Sequence, residues 1–111
     1  MSATELLAQA QRILSTPDTG GHSPRMAAFL ARRAVEDVIE RRCADLVGPV
    51  TPATWRSKLL ILRVLDDPAV ADRAAYAWNR LSNACHLHAF EMQPSVTEVQ
   101  HLCRLVAELM R

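Results

Sequence analysis

The feature that most constrains this chain is its punctuation. Five places pair a small polar residue with a proline just after it or a glutamate three residues on, each ahead of an apolar helical stripe: Ser2 with Glu5, Ser23-Pro24, Thr51-Pro52, Asp67-Pro68 and Ser95 with Glu98. Each pattern is a helix start. The side-chain oxygen of the cap residue accepts from an amide left unpaired in the first turn. A glutamate at the third position can reciprocate, and a proline in the first turn forfeits no bond there.

Behind each start, apolar residues recur at helical spacing. Leu6, Leu7, Ala10, Ile13 and Leu14 run up to Thr16-Pro17. Leu30, Ala31, Ala34, Val35, Val38 and Ile39 form the stripe of a long second helix, which Gly48-Pro49 should end near Val47. Arg33, Asp37 and Arg41 line its solvated side. The third segment, from Thr51-Pro52, carries Trp55, Leu59, Leu60, Leu62 and Leu65. It is apolar over more than half its circumference, which predicts a central place or a subunit contact. The fourth helix should bury Ala71, Ala74, Ala75, Trp78, Leu81 and Cys85, with Pro94 as its latest stop. Val99, Leu102, Cys103, Val106, Leu109 and Met110 stripe the fifth. Asp18 to His22 has loop composition, and no run alternates apolar and polar residues as a half-buried strand would. The expectation is one all-α domain over residues 1–111, a compact bundle of about five helices.

With a net charge of +1 the chain has no bulk polyelectrolyte character to draw in nucleic acid or membrane. Of thirteen basic residues only Lys58 is lysine, and arginine is the better partner for phosphate or carboxylate. Three cysteines at wide spacing (Cys43, Cys85, Cys103) sit within apolar helical patterns and read as buried thiols of a reducing compartment. Met1 to Glu5 lacks the features of a secretory signal, and no apolar run has the length of a membrane span. A cytoplasmic protein is expected.

Chemistry concentrates at the end of the fourth helix. On an ideal helix Asn79, Ser82, Asn83 and His86 share one flank at the border of the buried face, and Arg80 lies further round. Such residues lower helix propensity. They suit a site that grips phosphate or ribose with His86 as acid or base, or they bond neighbouring backbone. Metal ligation fails on spacing: His86 and His88 point about 200° apart, and Glu91, His101 and Cys103 supply no short ligand motif. No metal or other cofactor is expected. Adjacent Cys85 and His86 diverge by about 100°, which argues against a nucleophilic pair. A DNA-reading helix over Thr51 to Arg63 would be too apolar for a groove.

With these residues in view, the chain resembles the HEPN superfamily of small helical bundles. The run Leu81-Ser82-x-Ala84-Cys85-His86-x-His88-Ala89-Phe90-Glu91-x-x-Pro94 is similar to one found in small bacterial proteins of that type. Arg80 and His86 enclose five residues, as in the loose form of the HEPN signature, although Leu81 stands where a polar residue often follows the arginine. The resemblance implies metal-independent RNA cleavage, in a homodimer that joins two motifs in one cleft, and service in toxin–antitoxin or phage defence. His86 would move the 2′-hydroxyl proton, Arg80 would hold the phosphate, and Asn79, Ser82 and Asn83 would orient them. Arg80 and His86 lie about 120° apart on an ideal helix, so convergence needs a bend or a two-fold partner. A second reading, from a different class, is a non-catalytic helical adaptor that binds a cognate protein through its apolar third and fifth helices. A basic cleft between subunits would mark the first reading; a bare apolar groove would mark the second.

Overall fold

In the computed structural model, residues 1–16, 23–49, 53–86 and 94–111 are described. They form five helices and no strand. These are α1 (Ala3–Ser15), α2 (Ser23–Val47), α3 (Trp55–Leu65), α4 (Pro68–Cys85) and α5 (Val96–Leu109). The all-α bundle expected from the stripes is the fold. The loop assigned to Asp18–His22, the Thr51-Pro52 start and the residues from Leu87 to Gln93 lie outside the described residues.

The helix starts follow local chemistry. The Ser2 hydroxyl accepts from the Glu5 amide at 3.2 Å, and Ser95 accepts from Glu98 at 3.0 Å. Asp67 Oδ1 takes the amides of Ala69 and Val70 at 2.9 and 3.3 Å, just ahead of Pro68. One start moves. The cap of α3 is Thr54, whose hydroxyl accepts from Ser57 at 3.1 Å, rather than Thr51. Thr54 competes well because Trp55, Lys58, Leu59 and Leu62 fall into one phase directly behind it. At the end of α2, Gly48 takes φ +84°, a left-handed conformation that glycine enters without steric cost.

The centre of the bundle is α2, which contacts all four other helices. Ala27, Ala28, Ala31 and Ala34 are fully buried along it, so neighbouring backbones can approach closely. Helices α1, α5 and α4 pack around α2 in sequence, each touching the next. Leu7, Ile39, Leu81, Leu102 and Val106 interlock there in one core cluster.

Helix α3 is the exception, because it touches only α2 and α4. The sequence suggests a central place or a subunit contact for it; the structure removes the first and puts it at the edge. Only Lys58 and Leu62 of its residues are buried. Much of what fixes it is polar. Arg42 of α2 grips Asp66 with both nitrogens, Nε at 2.6 Å and Nη2 at 2.8 Å. This fork holds the Asp66 carboxyl below the usual carboxylate range. Lys58 lies over the Trp55 ring, 4.1 Å from its centroid, and donates to Glu40 Oε1 at 2.8 Å. Beneath it the Cys43 thiol donates to the Lys58 carbonyl at 3.4 Å.

Candidate functional site

The proposed phosphate-gripping flank does not form as one surface. Ser82 is turned inward, 8% exposed, and its hydroxyl has no hydrogen-bond partner among the described residues. The physical reason is that α4 contacts α2, α3 and α5 together, so its covered arc is broader than one stripe and reaches Ser82. Asn79 is exposed and spends its amide on the Ala75 carbonyl at 2.9 Å, within its own helix. Asn83 is exposed, and its carbonyl accepts from the His86 amide at 3.4 Å.

Arg80 and His86 are both exposed and separate in role. The Arg80 guanidinium pairs with the Glu98 carboxylate of α5. His86 is the first residue beyond α4, with extended backbone at ψ 136°. The helix-wheel position assumed for it therefore does not apply. No glycine or proline marks this end, and nothing in the described residues explains why the helix stops at Cys85. His88 and Glu91 lie outside the described residues.

Cys85 is half-buried, a correction to its place in the core stripe. The Arg32 guanidinium donates to its sulfur at 3.5 Å and also to Glu36 at 3.2 Å. Glu36, itself buried, accepts from the Trp78 indole at 3.1 Å. Trp78 is thus tied to α2 by its polar edge, while the Arg32 guanidinium sits 5.6 Å from its ring centroid. The cluster ties α4 to α2. The sequence signal for it was available: Arg32 and Glu36 are one turn apart, with Glu36 in phase with the buried Val35 and Ile39 side of α2. Among the described residues no three His, Cys, Asp or Glu side chains come together as a metal would need.

A concavity lies elsewhere, between α3 and α4, with about 550 Å³ of space. Leu59, Leu60, Ala71, Ala75 and Trp78 line it with apolar surface, and Arg56, Arg63, Asp72 and Asn79 supply its polar atoms. Outside the groove the same helix shows Val64, 71% exposed, and Leu65, 52% exposed. Leu60 is 58% exposed beside them, and Tyr76 of α4 is half-exposed. Arg56 and Arg63 have no hydrogen-bond or ion-pair partner among the described residues. By contrast, Val99, Leu102, Cys103, Val106 and Leu109 of the α5 stripe are buried in the core, and Met110 is half-buried. Sequence reasoning offered the apolar third helix as a docking surface but did not place the groove that it forms with α4. The groove's signal was the run Leu59-Leu60-Ile61-Leu62, which wraps apolar residues round a helix that can bury only one side.

The chain matches no protein-family model, no curated protein and no solved structure. No helix among the described residues is long and apolar enough to cross a membrane.

Proposed function

We propose that this domain is a protein-docking module, a helical adaptor whose α3/α4 groove receives a helix of a protein partner. The observation that carries the reading is the exposed apolar surface of α3 beside the groove between α3 and α4. Leu60, Val64 and Leu65 stay in water together on the one short helix that borders the groove. A contiguous apolar patch rimmed by polar residues is the usual mark of an interaction site, and an amphipathic helix laid in such a groove is a recurring recognition mode.

The test places a photoreactive benzophenone side chain at Leu60, with Arg104 on α5 as the control position. The expected result is a discrete protein adduct from Leu60 alone, lost when Val64→Asp is added, with the melting temperature unchanged. Adducts of equal yield from Leu60 and Arg104, or none from either, would overturn the reading.

The ribonuclease reading implied by the HEPN resemblance keeps one observation in its favour. Arg80 and His86 are both exposed towards the same end of α4, and the Arg80–Glu98 pair is half-exposed. Such a pair is worth about 0–1 kcal/mol, so a phosphate could displace the carboxylate. On that reading RNA cleavage persists in chelator and leaves a 2′,3′-cyclic phosphate. His86→Ala then costs on the order of a hundredfold or more in rate. Full activity in a well-folded His86→Ala protein would remove His86 as the catalyst.

A further inference from the structure

The polar rim of the α3/α4 groove is ordered, and the order selects a partner. Arg56 and Arg63 are seven residues apart on α3, two helical turns, and so project from the same side about 10.5 Å apart along the axis. On the opposite wall Asp72 and Asn79 have the same spacing on α4. Only Asp66 and Asp67 join the two helices, so they run back alongside each other. That brings Arg63 to the Asp72 end of the groove and Arg56 to the Asn79 end. Among the lining residues Asp72 offsets Arg63 at the first end, whereas the one opposite Arg56 at the second is the neutral amide of Asn79. Between the rims, Ala71 and Ala75 keep the α4 wall low, which allows a helix backbone to settle close to it.

Resting on the docking reading above, we propose that the groove's occupant is an acidic amphipathic helix from another protein. Its apolar face lies on Leu59, Leu60 and Ala75. Two carboxylates two turns apart on one flank meet Arg56 and Arg63, and the Arg56 contact contributes more. The α4-facing flank of that helix is neutral or basic, because a carboxylate there would meet Asp72.

The probe is a designed amphipathic helical peptide with a leucine face and two glutamates seven residues apart on one flank. Its twin carries lysines in their place. Both are titrated into the intact protein and followed by amide NMR shifts and fluorescence anisotropy. The glutamate peptide should move the amides of Leu59, Leu60 and Ala75 and bind on the order of tenfold tighter than its twin, a gap of about 1.4 kcal/mol. High salt should close the gap. Arg56→Glu should reduce it more than Arg63→Glu, and the double variant should invert it. Both side chains are exposed, and a melt checks that each variant folds.

Equal binding of the two peptides in the groove would overturn the acidic partner and leave docking standing. No shift of groove amides with either peptide would sink docking as well. Groove amides that move with protein concentration alone would assign the surface to a second copy of the chain. Movement of the same amides with oligouridine alone would assign it to RNA. Either result overturns the proposal.

Discussion

Helices α3 and α5 are both rich in apolar residues, and the bundle treats them in opposite ways. Val99, Leu102, Cys103, Val106 and Leu109 of α5 fall into one phase, and all are buried against α1, α2 and α4. In α3 the run Leu59-Leu60-Ile61-Leu62 spreads apolar side chains around the axis, and only Leu62 of the four is buried. Apolar content alone does not decide cover. Phase and the number of neighbouring helices do, and α3 has two neighbours where α5 has three. The core therefore fixes α5, whereas side-chain polar clasps hold much of α3 and leave its outer face available.

The sharpest way to break this comparison is a pair of truncations. Leu102 is 1% exposed, and Leu102→Ala should cost about 2–5 kcal/mol in urea unfolding. Leu60→Ala should fall within about 0.5 kcal/mol of the unaltered protein, as surface changes usually do. Equal costs would mean that something covers α3 in solution, and a concentration-dependent Leu60→Ala effect would identify that cover as a second copy.

A smaller effect should come from the clasp. Asp66→Asn loses the charge in the Arg42 fork, and charge-assisted bonds of this kind contribute about 1.5–3 kcal/mol. Hydrogen exchange should then quicken in α3 while α5 stays protected. The pH dependence has a definite sign. Arg42 lowers the folded-state pKa of Asp66 below its unfolded value, chiefly through the hydrogen bonds. The fork's contribution is thus fully present above the ordinary carboxylate range, about pH 4, and is lost as pH falls through the lowered pKa. Asp66→Asn should abolish this part of the acid destabilisation of α3. An unchanged acid limb would show that the fork does not anchor the helix.

The mildest readout is thiol chemistry. Burial pushes the Cys103 thiol up to about 11 and raises that of Cys43 as well. Half-buried Cys85 should therefore react first with a thiol reagent near neutral pH. Cys43 lies under α3 with its thiol on the Lys58 carbonyl, so its labelling reports the lifting of that helix. It should label before Cys103, and Asp66→Asn should speed Cys43 alone. Parallel labelling of Cys43 and Cys103 would mean that α3 and the core open together.

The sequence by itself determined the helices. Capping and proline chemistry act over three or four residues, so Ser2, Asp67 and Ser95 could be placed without any tertiary knowledge, as could the Gly48 stop. Phase within each segment likewise gave most of the core. At α3 the start read from Thr51-Pro52 gave way to a cap at Thr54, whose hydroxyl accepts from Ser57. The site was less legible, because it depends on which neighbour covers which arc. A helix wheel cannot show that α4 has three neighbours, which turns Ser82 inward. Nor can it show that Glu98 will take Arg80, since those residues meet only across α4 and α5. Burial of Lys58 and exposure of Leu60 were decided in the same way. A lone segment has no outside until others pack against it, so the working face of α3 is a property of the assembled bundle.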